Sequence, residues 1–342
     1  MIRSLFIFFF VLALVNDSVA QQKRTVLFLG NSYTYVNNLP QLIKDIALAN
    51  GDTLVFDSNC PGGHTFNNHF NNATSLAKIN AQAWDCVILQ AQSQEPSFSP
   101  SQVASQTLPY AIKLDSLIKN NNPCSETVFY ETWGRKNGDA SNCGSYPPIC
   151  TYIGMQNRLR ASYKLFADTT QSIMAPAGEA WRKSVAQNPT LELYSSDQSH
   201  PSLEGSYLTA CVFYETLFHK SVLSNTYTAG VSSINVSFLQ QIAHDVVNDS
   251  LLTWNIGKYN PCGTTGITSI SSNKNITLYP NPAQNVLYTN TNYSYKIYDV
   301  LGSLCLSGNK SNAINLESLK SGVYFIELSS FNSSKKTRFV KE

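Results

Sequence analysis

The stretch that decides the fold is "VLFLGNSYTY", residues 26–35. A run of apolar residues ends at Gly-Asn-Ser, so a strand that is buried on both faces stops where a glycine precedes a hydroxyl group. Such strands are typical of parallel sheets, in which ligands bind beyond the carboxyl ends of the strands. The stretch raises the question whether Ser32 is a turn or capping serine or a nucleophile.

Strand and helix patterns alternate from residue 25 to about residue 220. We predict strands at 25–29, 53–57, 84–90, 126–133 and 172–178, and helices at 39–50, 101–121, 155–170, 203–218 and 237–254. Pro109 interrupts the helical pattern at 101–121, because proline has no N–H to donate within a helix. Repeated strand–helix units predict an α/β domain with a parallel sheet covered by helices on both faces.

The first twenty residues have the pattern of an export signal. Arg3 precedes the apolar run "LFIFFFVLALV", and "SVA" at 18–20 fits a cleavage site between small residues. The apolar run is short for a membrane anchor, which is the alternative interpretation. We therefore predict a signal peptide at 1–20 and an exported mature chain.

The charge balance of the chain indicates no strongly charged partner. The 342 residues include 24 Lys and Arg against 22 Asp and Glu, a formal net charge of +2. Because only 13% of the residues are charged, nothing points to a nucleic-acid partner. The hydrophobic fraction of 43% is sufficient for a sizeable core.

The eight cysteines fit an oxidising compartment. Cys143 and Cys150 bracket a short loop and are the expected disulfide pair, whereas Cys86 and Cys211 lie in apolar runs and are expected to be small core residues. The pairing of three others stays open: Cys60, Cys124 and Cys262.

The composition changes after the last predicted helix. Residues 262–275 are rich in Gly, Ser, Thr and Asn, which is typical of a linker between domains. Short alternating runs separated by turn residues follow at 276–342 and predict a small β-sandwich. We thus expect a first domain at 21–261, a linker at 262–275 and a second domain at 276–342.

A serine hydroxyl needs a neighbouring base, a group that orients the base, and donors for the oxyanion. In "YSSDQSHPSLEGSY", Asp197 stands three residues before His200, just ahead of the predicted helix at 203–218. One loop can therefore supply both the base and its carboxylate, so that His200 accepts the proton of Ser32.

Three kinds of oxyanion donor are available at predicted strand ends. The first is the backbone N–H of Ser32, and the second is a backbone N–H of Gly62 or Gly63 in "CPGGH". Glycine suits such a loop because it permits close approach and unusual backbone angles. The third donor is the side-chain amide of Gln92 in "LQAQS".

Four segments resemble the four sequence blocks of the SGNH/GDSL hydrolase superfamily, in the same order. They are "FLGNSYTY", "PGGHTFNNH", "VILQAQSQEP" and "SDQSHPS", and the resemblance covers residues 25 to about 220, with a wider similarity to a less characterised branch. It implies a flavodoxin-like three-layer α/β/α fold and ester hydrolysis without a metal or organic cofactor.

The resemblance also assigns roles to residues. Ser32 resembles the nucleophile, His200 the base and Asp197 its orienting group, while Gly62 or Gly63 and Gln92 resemble the oxyanion glycine and asparagine. This sequence departs from the pattern at Asn31, where the family has Asp, and at Gln90 and Gln92, where it has Gly and Asn. Gln90 is therefore a rival of Gln92 for the oxyanion role.

Further polar and aromatic residues lie near the same predicted strand ends. His64 and His69 are expected at the rim of the pocket or on the surface rather than at a metal site. A structural role is the alternative for each candidate for the substrate cleft: Asn31, Gln90, Glu95 and Trp133.

Residues 276–342 resemble the C-terminal sorting domain of the type IX secretion system. The matching segments are "LYPNPAQNVLY", "YKIYDVLGSLCLSG", "INLESLKSGVYFIEL" and the terminal "KTRFVKE". The resemblance implies a domain that an outer-membrane export machine reads before secretion or surface attachment. A carbohydrate-binding β-module is the alternative, because β-sandwiches host both functions.

The sequence as a whole predicts an exported serine esterase, secreted or attached to the cell surface. Its expected partners are a polysaccharide or small ester substrate and, through residues 276–342, the export machinery. We expect O-acetyl groups on carbohydrate as the substrate, with other esters as the alternative. The rival hypothesis is a surface carbohydrate-binding protein that keeps a hydrolase scaffold without turnover.

Overall fold

The computed structural model describes residues 21–259, 262, 278–299, 303–330 and 333–342. The predicted signal peptide at 1–20 lies outside these residues, and so does the predicted linker apart from Cys262. Among the described residues, no helix has both the length and the apolar character needed to cross a bilayer.

A five-stranded parallel sheet forms the centre of the first domain. Its strands are β1 (Lys23–Leu29), β2 (Thr53–Asn59), β3 (Cys86–Leu89), β4 (Glu126–Tyr130) and β5 (Ile173–Ala175). Their order across the sheet is β2-β1-β3-β4-β5, the flavodoxin-like order. The five predicted strands and the predicted α/β class are thus confirmed, although the last three strands are shorter than their patterns.

The helices of the first domain include all those that the sequence predicts. They are α1 (Ser32–Tyr35), α2 (Leu39–Ala49), α3 (Phe66–Phe70), α4 (Ala73–Ile79), α5 (Pro100–Gln102), α6 (Leu108–Asn121), α7 (Tyr152–Thr169), α8 (Ala177–Gln187), α9 (Leu203–Phe218) and α10 (Ser233–Asn248). Four of them were not predicted from the sequence, namely the short α1, α3 and α4, and α8.

Two neighbouring residues of β4 show that helices cover both faces of the sheet. Successive side chains of a strand point to opposite faces. The ring of Tyr130 contacts Phe213 of α9 with centroids 4.9 Å apart, whereas Phe129 contacts Phe166 of α7 at 5.9 Å. Because all four rings are fully buried, α9 and α7 form the two outer layers around one apolar core.

Pro109 leaves a visible mark on the helical segment that it was expected to interrupt. The chain forms a wider π-helical turn at Val103–Thr107, and α6 starts with Pro109 in its first turn. Proline is tolerated in a first turn because its missing N–H would have no intrahelical acceptor there. The segment therefore stays helical on both sides of the proline.

Two disulfides tie loops of the first domain. Cys143 and Cys150 are bonded, as predicted, and Cys124 is bonded to Cys262 across 138 residues of sequence. The second bond joins the loop before β4 to the segment after α10. Cys86 and Cys211 are free and buried, which confirms their expected place in the core.

The described strands of the second domain form one antiparallel pairing network. They are β6 (Leu278–Tyr279), β7 (Val286–Tyr298), β8 (Leu304–Asn315), β9 (Gly322–Ser330) and β10 (Ser333–Lys341). The long strand β7 pairs with β6, β8 and β9, and a bridge between Ala283 and Lys341 brings the two ends of the sheet together. The predicted sandwich is thus a single, nearly closed sheet around its own small core.

Candidate active site

Ser32 lies directly beyond the carboxyl end of β1, as the first residue of α1. The residue that caps this helix is Asn31, whose side chain accepts a hydrogen bond from the backbone N–H of Tyr33 at 3.1 Å. Because Asn31 performs the capping, the hydroxyl of Ser32 is not needed for it. The capping interpretation of Ser32 is therefore wrong.

The hydroxyl of Ser32 faces an imidazole from a loop 168 residues further along the chain. Its Oγ lies 2.8 Å from Nε2 of His200, and Nδ1 of His200 is hydrogen-bonded to the carboxylate of Asp197. A carboxylate only accepts hydrogen bonds, so Nδ1 carries the proton and Nε2 accepts the proton of the hydroxyl. The structure thus brings together the three residues that the sequence predicted.

The carboxylate of Asp197 is held by hydrogen bonds within its own loop. Its Oδ1 accepts the backbone N–H groups of Ser199 and His200, both at 3.0 Å. Partial burial acts to raise the pKa of Asp197, but the hydrogen bonds from His200 and these N–H groups outweigh it and lower the pKa. Asp197 is therefore a stable negative partner for an imidazolium on His200.

An aromatic stack supports the loop that carries His200. The buried indole of Trp133 is stacked between Tyr33, at 4.8 Å, and Trp181, at 3.7 Å. The indole N–H of Trp133 donates to the backbone carbonyl of Ser199 at 3.0 Å, and the hydroxyls of Tyr33 and Ser199 are 2.6 Å apart. The core thus fixes the residue that directly precedes His200.

Asn37 connects the end of α1 to the same loop from the other side. Its backbone has a positive φ of 54°, which Asn tolerates better than most residues. Its side-chain amide donates to the carbonyls of Pro201 at 3.2 Å and Ser202 at 2.9 Å. The chain segments of Ser32 and His200 are therefore joined independently of the hydrogen bond between them.

Gln90 belongs to the framework of the site and not to its surface. Its side-chain oxygen accepts the backbone N–H of Asn31 at 2.8 Å and the hydroxyl of Thr34 at 3.0 Å, and its amide N–H donates to the carbonyl of Ala91. Because both ends of this buried amide are occupied within the protein, Gln90 has no donor for an oxyanion. This observation contradicts the expectation that Gln90 rivals Gln92.

The remaining oxyanion candidates stay predictions. The N–H of Ser32 is a first-turn donor that a helix leaves without an intrahelical acceptor. Gly62 and Gly63 are exposed, and Gly63 has a φ of +70° that favours glycine. The side chain of Gln92 is half-buried and closes its own turn, donating to Gln94 at 2.9 Å and accepting the N–H of Gln94 at 2.7 Å.

Three of the four cleft candidates are buried, which contradicts their expected role. Asn31 and Gln90 are occupied in the nucleophile loop, and Trp133 is fully buried in the aromatic stack. Glu95 is half-buried, and burial raises the pKa of its carboxyl to about 7. His69, expected at the pocket rim or on the surface, is fully buried as well.

A serine, an imidazole and a carboxylate linked in this order are the geometry of a serine hydrolase site. Here that site lies at the carboxyl edge of a flavodoxin-like parallel sheet. The fold and the site together therefore define the first domain as one of hydrolase type.

Comparison with solved structures supports the same fold. A DUF4886 family protein from Bacteroides uniformis is 18% identical, with a TM-score of 0.57 over 67% of this chain and 95% of its own. A putative SGNH hydrolase from Slackia heliotrinireducens is 25% identical (TM-score 0.47; 56% and 98% covered), and an acetylxylan esterase from Geobacillus stearothermophilus is 17% identical (0.40; 57% and 94%). Curated protein sequences gave no match.

The second domain is identified by a family model. Residues 277–342 match the family described as a secretion system C-terminal sorting domain. This match confirms the sorting domain predicted at 276–342 and indicates export by the type IX secretion system. The protein is accordingly secreted or attached to the cell surface.

Proposed function

We propose that the protein is an exported serine esterase. The observation that carries the proposal is the 2.8 Å contact between Ser32 Oγ and His200 Nε2, with the Asp197 carboxylate on the other ring nitrogen. Ser32 attacks the ester carbonyl carbon while its proton passes to Nε2 of His200. Asp197 stabilises the imidazolium, and backbone N–H groups near Ser32 and Gly62–Gly63 receive the negative charge on the carbonyl oxygen.

The two half-reactions return the enzyme to its starting state. The imidazolium of His200 gives its proton to the departing alcohol, which leaves an acyl group on Ser32. His200 then takes a proton from a water molecule, whose oxygen attacks the acyl carbonyl. Breakdown of this second intermediate releases the carboxylic acid and restores the hydroxyl of Ser32.

O-acetyl groups on carbohydrate are the proposed substrate. The site is open, since the side chains of His200 and Asp197 are 36% and 46% exposed, and a large polymer can reach it. Tyr35 lies one helical turn from Ser32 and is 54% exposed; within residues 21–259 no other aromatic side chain belongs to the exposed large hydrophobics. A sugar ring can stack on such a face.

Covalent labelling of Ser32 tests the proposed mechanism. A fluorophosphonate probe should add to the wild-type protein at Ser32, as seen by peptide mass spectrometry, and should leave Ser32→Ala unlabelled. The wild type should also release acetate from triacetin and from acetylated xylan. Equal rates for wild type and Ser32→Ala would contradict an esterase and favour a binding protein without turnover.

Removing the exposed ring of Tyr35 should weaken only the carbohydrate substrate. Tyr35→Ala should raise KM for acetylated xylo-oligosaccharide roughly fivefold, because a stacking contact is worth about 1 kcal/mol. Tyr35→Phe keeps the ring and is the matched control, with KM close to that of the wild type. An equal loss with triacetin, which has no sugar ring, would contradict the stacking role.

A further inference from the structure

His69 is a buried imidazole that contacts the nucleophile loop but takes no part in the proposed chemistry. It lies in the five-residue helix α3, after the glycines of the loop that follows β2. Its Nε2 is 2.9 Å from the backbone carbonyl oxygen of Gly30, and its Nδ1 is 2.8 Å from the hydroxyl of Ser75. Gly30 is separated from Ser32 by one residue.

The partners of His69 determine which of its nitrogens carries the proton. A carbonyl oxygen only accepts, so Nε2 carries the hydrogen and donates it to Gly30. Nδ1 is then an acceptor for the hydroxyl of Ser75, whose oxygen in turn accepts from the side-chain amide of Asn59 at 2.8 Å. Burial lowers the pKa of His69 to about 4, so this neutral tautomer persists at neutral pH.

The bond from His69 completes a restraint on the peptide unit between Gly30 and Asn31. The carbonyl of this unit accepts from His69, and its N–H donates to the side-chain oxygen of Gln90 at 2.8 Å. The two side chains come from different parts of the chain and grip opposite ends of one planar group. With both ends held, the peptide plane that leads into Ser32 has a single orientation.

The same segment also fixes the glycine loop relative to Ser32. The side-chain amide of Asn31 donates to the backbone carbonyl of His64 at 3.0 Å, and the rings of His64 and His69 are 5.1 Å apart. His64 directly follows Gly62 and Gly63, the candidate oxyanion donors. A shift of His69 would therefore change two parts of the site together.

We propose that His69 is a positioning residue of the esterase site, which sets the orientation of the Gly30–Asn31 peptide and thereby keeps the hydroxyl of Ser32 in line with His200. The proposal rests on the proposed function. His69 touches none of the reacting atoms, so it acts through the backbone. Small displacements of reacting groups cost large factors in rate, which makes this restraint measurable in kcat.

Two amide variants separate the bond to Gly30 from the bond to Ser75. In His69→Gln the amide nitrogen reaches the position of Nε2 and can still donate to Gly30. In His69→Asn the shorter amide reaches only the position of Nδ1, so it keeps a partner for Ser75 and loses Gly30. We expect kcat for triacetin to fall about 30- to 100-fold in His69→Asn and less than fivefold in His69→Gln.

Further measurements distinguish positioning from a general loss of structure. KM for triacetin should stay within twofold in both variants, and the rate of fluorophosphonate labelling of Ser32 should fall in parallel with kcat. Ser75→Ala removes only the partner of Nδ1, so it should lower the melting temperature with less than a threefold change in kcat.

Defined results would overturn the proposal. Equal kcat values for the folded Gln and Asn variants, or a loss that appears in KM alone, would show that the bond to Gly30 does not position Ser32. If His69→Asn does not fold, a His69→Gln variant with kcat reduced as strongly as 30-fold gives the same negative answer, and a near-wild-type kcat supports the proposal. Failure of the proposed function would look different, because the wild type would then hydrolyse triacetin no faster than Ser32→Ala.

Discussion

His200→Ala is expected to lower kcat for acetate release from triacetin by roughly 10⁴- to 10⁶-fold. Nε2 of His200 lies 2.8 Å from Ser32 Oγ and is the acceptor for its proton, so without it the hydroxyl remains a poor nucleophile. Residues that act as a unit have non-additive effects. The double variant Ser32→Ala/His200→Ala should therefore be no slower than either single variant.

Asp197→Asn provides the control for the role of the carboxylate. An amide in place of the carboxylate can donate to Nδ1 of His200, which favours the tautomer with its proton on Nε2 and leaves no acceptor for Ser32. We expect kcat to fall about 10⁴-fold with little change in fold, checked by circular dichroism. Multiplicative losses in the Ser32/His200 double variant, or an active Asp197→Asn, would contradict the proposed mechanism.

The sequence was sufficient for the sheet and for the three residues at its edge. Apolar runs such as 25–29 are long enough to identify buried strands, and a parallel sheet places their carboxyl ends along one edge. That rule brought Ser32 and the loop of His200 to the same edge before any distance was known. The three-residue spacing of Asp197 and His200 then corresponds to the observed hydrogen bond between them.

The errors concern polar and aromatic residues whose orientation depends on tertiary contacts. Gln90 follows its strand in the same way as Gln92, and only the structure shows that its amide is occupied by Asn31 and Ala91. Trp133 has the composition of a cleft residue, but the stacked ring of Trp181 buries it. His69 gave no periodic signal, because α3 has only five residues.

Shortening the indole of Trp133 is expected to affect both stability and turnover. Trp133→Ala would leave a cavity between Tyr33 and Trp181, and large aromatic-to-alanine changes in a core cost about 3–5 kcal/mol of the free energy of unfolding. For a domain of this size the melting temperature should fall by roughly 6–20 °C. Differential scanning calorimetry measures this loss.

The phenylalanine variants of the two stacked tryptophans separate packing from the support of the catalytic loop. Trp133→Phe keeps an aromatic ring but loses the N–H that donates to the carbonyl of Ser199, the residue before His200. Trp181→Phe is the matched control, because its lost N–H bonds Thr209 inside α9 and not the loop. Both variants should lose about 1–3 kcal/mol of stability, whereas only Trp133→Phe should lower kcat, by about tenfold. Equal kcat values in two equally destabilised variants would mean that the stack is only core packing. A selective loss would show that the aromatic core sets the distance between His200 and Ser32.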